Sequence, residues 1–323
     1  MQIRVLSAAD VWRALPIADA ITATRRAFLA LAAGAVQAPP RVPLVDGDTT
    51  TLLMAASGEP GRIAKVVNVW PANAARGLAT TTGVVTVLDP ATGHVRGICD
   101  GGALTALRTG AVAGLATDLL ARPDAAIGAV VGAGGQAETQ VLAIDRVRGL
   151  REIRVAARSI ERAHAFVERL RPTVRADLVV AASTDEAVAG ADVVCAATSS
   201  ARPVFDGERL RLGAHVNGIG SFRLAMRELD QRTIARAARI VVDLRASALH
   251  EAGELVAAQE AGVTSAADWL ELGELLADPA RGRQSPDEVT LFKSVGHAVQ
   301  DLFAACLAIE RAEREGLGHV TEI

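Results

Sequence analysis

The chain has 323 residues, is 50% hydrophobic and 22% charged, and carries a formal net charge of −3. That length exceeds one ordinary core and calls for two domains, while the near-neutral charge without a basic block argues against nucleic-acid binding. No apolar run reaches the ~18 residues of a membrane span, and the three widely separated cysteines (Cys99, Cys195, Cys306) match neither a disulfide framework nor a metal spacing.

Ser7, with Asp10 three residues on, reads as a helix N-cap. A longer helix begins near Pro16; Ile17, Ile21, Thr24, Phe28 and Leu31 step by four and three along one face, and Gly34 ends it. Pro39-Pro40-Arg41 opens a β-like region with strands expected at residues 51–54, 64–69 and 83–88, the last closing in an Asp89–Gly93 turn. A helix follows from near Thr105 past Leu120, broken by Arg122-Pro123-Asp124.

From Ala125 the rhythm changes to alternating strand and helix. Strands are expected at residues 125–131, 153–156, 178–180, 193–196, 215–219, 240–243 and 289–292. Such alternation builds a Rossmann-type doubly wound parallel sheet of the α/β class. The final helix, from near Gly296, carries Val299, Leu302, Phe303, Cys306 and Ile309, enough apolar surface to pack back on the first domain. The expected division is residues 1–121 plus 296–323 for a discontinuous α+β domain, and residues 122–295 for the inserted parallel-sheet domain.

Within the first of these strands and the helix after it, Gly132, Gly134 and Ala137 fit G-x-G-x-x-A. Gly132 makes the tight turn, Gly134 lets backbone approach a pyrophosphate, and the small Ala137 lets helix and strand pack closely. The helix N-terminus supplies free N–H groups and partial positive charge to the phosphates. A plain βα turn shows the same glycines, but here strand, helix and next strand all sit where a dinucleotide site needs them. At the end of that next strand comes Ala157-Arg158-Ser159, without the acid that holds a ribose 2′-OH. Arg158 and Ser159 suit a 2′-phosphate, which favours NADP(H) and leaves NAD(H) as the alternative.

Two further features bear on chemistry. There is no tyrosine, so a Tyr-Lys proton relay is excluded. Among 34 basic residues only Lys65 and Lys293 are lysines. Lysine shifts its pKa and trades protons where arginine does not, and Lys65 stands in an apolar strand where a charge without a purpose is costly.

The chain resembles the ornithine cyclodeaminase/mu-crystallin family along nearly its whole length. The likeness rests on Lys65-Val66-Val67 with Pro71 and Asn73, on residues 104–111 (LTALRTGA) and 132–137 (GAGGQA), and on Ala197-Thr198-Ser199-Ser200. It continues in residues 213–221 (GAHVNGIGS) with Arg227-Glu228-Leu229, in Glu251-Ala252-Gly253-Glu254, and in residues 292–296 (FKSVG) with Asp301. The resemblance implies a homodimer, a site between the two domains, and Arg41, Lys65 and Arg108 around a substrate carboxylate, with Thr80 as a substrate-side hydroxyl. It extends cofactor contact to Gly135, Gln136, Ala197, Thr198, Ser199, Ile219 and Gly220. Physically, a guanidinium grips a carboxylate through two parallel hydrogen bonds, and Lys65 can exchange a proton if burial lowers its pKa.

Departures from the family pattern narrow the activity. Where a cyclodeaminase carries carboxylates, this chain has Leu52 and Phe222, which suit an apolar or cyclic side chain better than a second ammonium. Leu224, where relatives often carry proline, marks a reshaped loop. The expected site is thus three cations with no carboxylate beside them. The expected function is NAD(P)H-dependent reduction of a small cyclic imino acid (a pyrroline- or piperideine-2-carboxylate) to an L-amino acid, or the reverse dehydrogenation. Ornithine cyclodeamination with bound NAD and a non-catalytic crystallin-like binding role stand as alternatives. The partners expected are a small amino or imino acid and a second copy, in the cytoplasm, with no metal. His215 is expected to be structural, and Asp301 to hold Lys293 or a backbone N–H, or to take part in the chemistry.

Overall fold

In the computed structural model, which describes residues 2–322, the chain forms two units. One runs to Arg108 and resumes at His297; the other is Thr109–Gly296. The passage therefore falls inside a helix rather than at residue 121. Arg122-Pro123 does end that helix, but its second half already packs with the second unit: a Cβ on Gly110 would lie 2.5 Å from Thr139.

The first segment contains β1 (Gln2–Leu6), α1 (Ala8–Ala14), α2 (Ile17–Ala32), β2 (Val42–Asp46), β3 (Thr49–Gly58), β4 (Gly61–Val69), β5 (Thr81–Leu88), β6 (Val95–Asp100) and the shared helix α3 (Gly101–Leu120). Ser7 and Asp10 form the capping box that starts α1. Ile21, Thr24 and Phe28 are buried along α2, which closes before Gly34 in the left-handed region (φ 68°). Period-two burial made β3, β4 and β5 readable: Leu52, Met54 and Ala56, then Ile63, Lys65 and Val67, then Val85 and Val87, are buried. β2 shows no such period because all five of its residues are exposed; it is a sheet edge, where Pro43 is tolerated.

The second unit holds β7 (Ile127–Val131), α4 (Ala137–Val147), β8 (Glu152–Ala156), α5 (Ile160–Leu170), β9 (Asp177–Val180), α6 (Thr184–Val188), β10 (Val193–Ala196), β11 (His215–Gly218), α7 (Gln231–Arg236), β12 (Ala237–Val242), α8 (Arg245–Glu251), α9 (Gly253–Glu260), β13 (Leu270–Glu271), α10 (Leu272–Ala277) and β14 (Val289–Lys293). Every pairing in this eight-stranded sheet is parallel, in the order β13-β12-β14-β11-β10-β7-β8-β9. Alternate residues feed two cores: Ala129, Val131, Val194 and Val216 in one, Val130, Ile153, Val155 and Cys195 in the other. Both faces are thus apolar, as a doubly wound sheet requires. The strand order reverses between β7 and β10, the place where such sheets take their ligands.

The chain then returns to the first unit as α11 (Ala298–Glu315) and β15 (His319–Glu322). There the seven-stranded sheet runs β15-β1-β6-β5-β4-β3-β2, antiparallel except between β1 and β6. α11 packs against α2 and across β3, β4 and β5, covering the face that carries Lys65. Among the described residues no helix is long and apolar enough to cross a membrane.

Candidate active site

Lys65 is the one charge on the inward face of β4, opposite Met54 on β3 and Val85 on β5. Its side chain is fully sealed from solvent. Nζ donates to Thr105 Oγ1 of α3 at 2.7 Å and to Asp301 Oδ1 of α11 at 2.5 Å. Burial pulls the ammonium down to about 8; Asp301 opposes that pull, while Arg108 and Arg41 add to it by repulsion. Arg108, one helical turn after Thr105, places Nε 3.4 Å from Asp301 Oδ1 and donates from Nη1 to Gln300 Oε1 at 2.8 Å. Arg41 stands just before β2, half-buried and close enough to act on Lys65.

The expectation of a cation cluster free of carboxylate is overturned here. Asp301 lies between Lys65 and Arg108, and it holds Lys65 rather than Lys293. The physical reason is the cost of burying two cations, Lys65 and Arg108, with a third half-buried near them, without a counter-charge. Sequence spacing could not reveal the pair, because 236 residues separate Lys65 from Asp301. Three buried polar atoms of this cluster still lack a hydrogen-bond partner: Arg108 Nε, Gln300 Nε2 and Asp301 Oδ2. Donors and an acceptor left open at one place can serve a ligand carrying both a carboxylate and an N–H. Leu52 is buried on the same sheet face, opposite Val67 and two register steps from the Met54–Lys65 pair. Thr80 differs from expectation: it precedes β5, is exposed, and its carbonyl accepts from Trp70 N at 2.8 Å.

In the second unit, the turn after β7 has the geometry the glycine pattern called for. Gly132 sits at φ +123°, where a Cβ would be 2.6 Å from the Ala197 carbonyl oxygen. Gly134 and Gly135 face open space on the side where a Cβ would project. Ala137 starts α4 fully buried against the strand, and Gln136 precedes it with a buried Oε1 that has no partner. An open backbone turn aimed by a helix N-terminus fits a dinucleotide pyrophosphate.

At the end of β8, Arg158 is exposed, but Ser159 is occupied. It caps α5, accepting from Arg162 N at 3.2 Å and donating to Glu161 Oε2 at 2.7 Å. A Ser159 hydroxyl free for a phosphate is therefore not what the structure contains.

Ala197, Thr198 and Ser199 follow β10, and Ile219 and Gly220 follow β11. One carboxylate ties these two loops together. Glu228 Oε1 accepts from Thr198 N at 2.5 Å, and Oε2 accepts from Gly220 N at 2.5 Å and Ser221 N at 3.0 Å. Beside it, Lys293 Nζ donates to Ser221 Oγ at 2.6 Å and its carbonyl at 2.7 Å, and pairs with Glu254 Oε1 at 3.2 Å. Sequence reasoning quoted Glu228, Glu254 and Lys293 as matched residues without giving them work. Phe222 is half-buried in this unit, with the Arg223 guanidinium 5.3 Å from its ring centroid. His215 is fully buried between Thr290 Oγ1 (2.9 Å) and Asn217 Oδ1 (3.2 Å), a structural placement.

A sequence model of the ornithine cyclodeaminase/mu-crystallin family matches residues 1–316. Delta(1)-pyrroline-2-carboxylate reductase of Bacillus cereus (strain ATCC 10987) is 36% identical over 284 residues, 87% of each chain. Among solved structures, Delta(1)-pyrroline-2-carboxylate reductase of Thermococcus litoralis, in complex with NADH and L-proline, superposes with a TM-score of 0.95 at 32% identity. That match covers 99% of this chain and 100% of the other. An archaeal alanine dehydrogenase dimer with bound NAD gives a TM-score of 0.92 at 31% identity, over the full length of both chains.

Proposed function

The chain belongs to the ornithine cyclodeaminase/mu-crystallin family, and on that premise we propose that it is a nicotinamide-dependent reductase of small cyclic imino acids. The substrate class is a ketimine such as pyrroline-2-carboxylate or piperideine-2-carboxylate, reduced to an L-amino acid, with amino-acid dehydrogenation as the reverse. The observation that carries the reading is the sealed Lys65, lowered to about 8 and set beside Arg108 and Arg41. Relatives named as pyrroline-2-carboxylate reductases support it.

Reduction of C=N requires a hydride at carbon and a proton at nitrogen. A bound nicotinamide supplies the hydride. Arg108 and Arg41 hold and orient the carboxylate. Lys65 gives the nitrogen its proton, which a group titrating near 8 can release and recover at neutral pH. Leu52 gives the ring's methylenes an apolar neighbour in place of a charge. That substitution disfavours ornithine cyclodeamination, whose substrate brings a second ammonium.

Arg158 supports NADP(H) over NAD(H), through charge alone, since Ser159 is committed to its helix cap and Glu161. The first unit takes the imino acid and the second the dinucleotide. A homodimer is supported by Val42, Leu53, Val66 and Val84, exposed residues paired in one row across β2 to β5. Free, buried cysteines accord with a reducing cytoplasm.

A screen of cyclic ketimines, and of 2-oxo acids with amines, followed by the loss of NADPH or NADH absorbance, tests the proposal. Oxidation with a cyclic ketimine is expected. No turnover with any ketimine and either cofactor would overturn it.

A further inference from the structure

The second unit buries a group of charges that the proposed reaction does not use. Glu228, Glu254 and Lys293 are all at least 98% buried, and they come from three places: the loop before α7, the start of α9, and the end of β14. Two carboxylates against one ammonium is an expensive arrangement, and an apolar packing of the same volume would be cheaper. Burial raises the Glu228 carboxyl, with Lys293 opposing the rise. Stability alone does not account for such a group.

Its geometry is directed at two loops. Glu228 accepts three backbone N–H groups: Thr198 from the loop after β10, and Gly220 and Ser221 from the loop after β11. Those loops touch, since a Cβ on Gly220 would collide with the Thr198 backbone. Lys293 and Glu254 then fix Ser221 from the other side, through its hydroxyl and carbonyl. In a doubly wound sheet, the pyrophosphate lies at the first glycine turn and the two mononucleotide halves lie to either side of it. Here that turn follows β7, and β8 with Arg158 takes the adenosine side. β10 and β11 lie on the opposite side, so the nicotinamide half falls at their carboxyl ends.

The geometry points to Glu228 as a positioning residue that holds the β10 and β11 loops in register for the nicotinamide half of the dinucleotide. This rests on the dinucleotide reading above. Glutamine is the sharp test, because it keeps the size but turns one acceptor into a donor facing a backbone N–H.

The experiment titrates full-length wild type, Glu228→Gln and Glu228→Asp with NADH and, separately, with ADP, which lacks the nicotinamide half, and wild type also with NADPH; it needs no imino acid. For Glu228→Gln we expect NADH affinity to fall about tenfold or more while ADP affinity holds, as losing a charge-assisted bond would give. Glu228→Asp, which keeps both acceptors, should recover part of the NADH affinity. Equal weakening of NADH and ADP, loss of ADP binding altogether, or unchanged NADH affinity would each overturn the inference. Wild type that binds none of NADH, NADPH and ADP would instead sink the dinucleotide reading itself.

Discussion

Lys65 Nζ donates to Asp301 Oδ1 across 2.5 Å with both side chains sealed from solvent. The pair sets the pH response. With Lys65 as the proposed proton donor, ketimine reduction needs it protonated, so kcat/KM should fall as pH rises through about 8. Asp301 opposes the burial that lowers Lys65, and the other charges facing it, Arg108 and Arg41, lower it further. Removing the carboxylate charge in Asp301→Asn should therefore move that fall to lower pH. A pH–rate profile of the two proteins measures this, and an unmoved or upward-moved alkaline limb would refute the coupling.

Arg108 carries a different share. Its Nη1 is bound to Gln300 and its Nε faces Asp301 Oδ1 at 3.4 Å, so the proposed grip on a carboxylate would use the remaining N–H groups of the fork. Arg108→Met should raise KM for the imino acid by about 10- to 150-fold, the worth of a hydrogen bond to a charge. KM for the reduced cofactor should stay within experimental error. Steady-state kinetics in each substrate separates the two. An effect on the cofactor alone would remove Arg108 from the substrate's carboxylate.

These two residues show what a sequence can and cannot carry. Lys65 stood out because it interrupts an apolar period-two strand, and Gly132 because strand, glycine turn, helix and next strand stand in order around it, which made the tight turn at φ +123° readable. The parallel sheet followed from alternation. β2, all exposed, has no burial period to read. Asp301 was left open between Lys293, a backbone N–H and the chemistry, and its pairing with Lys65 went unread for a different reason. A buried carboxylate finds its partner through tertiary packing, and of the two lysines it pairs with the one far away in sequence, not with its near neighbour Lys293. Ser159 failed similarly: as an N-cap with Glu161 two residues on, its hydroxyl had a local use that outranks a distant ligand.

The proposed preference for NADP(H) rests on Arg158. It is exposed at the carboxyl end of β8, with Ser159 turned to its own helix. Arg158→Ala should raise KM for NADPH by about tenfold while leaving NADH nearly unchanged, given the size of one charge-assisted phosphate contact. Parallel kinetics with both cofactors decide it. Equal effects on both would show that the residue does not read the 2′-phosphate.

The exposed apolar row gives a test of assembly. Val66 pairs with Leu53 on one side and Val84 on the other, and all three face outward while Lys65 faces in. Val66→Glu places a charge in the middle of that row without touching the buried face. The variant should elute as a monomer from a size-exclusion column calibrated by light scattering, where the unaltered chain should run as a dimer. A dimer in both would move the interface elsewhere.

His215 gives a stability signature at acid pH. Burial, with Arg283 adding repulsion, holds the imidazole at about 3 against an ordinary value of 6.5. The folded chain keeps it neutral while the unfolded chain protonates it once pH drops below 6.5. Its contribution is thus fully present above 6.5 and drains away as pH falls toward 3, by about 2 kcal/mol at pH 5. Its ring nitrogens face Thr290 and Asn217, so a neutral amide can keep some of those contacts. His215→Gln should be less stable than wild type at pH 7.5, yet lose less between pH 7.5 and pH 5, because glutamine does not titrate. Urea midpoints at the two pH values test this in one experiment. If the two proteins lose equal stability over that interval, His215 is not the group that makes the second unit acid-labile.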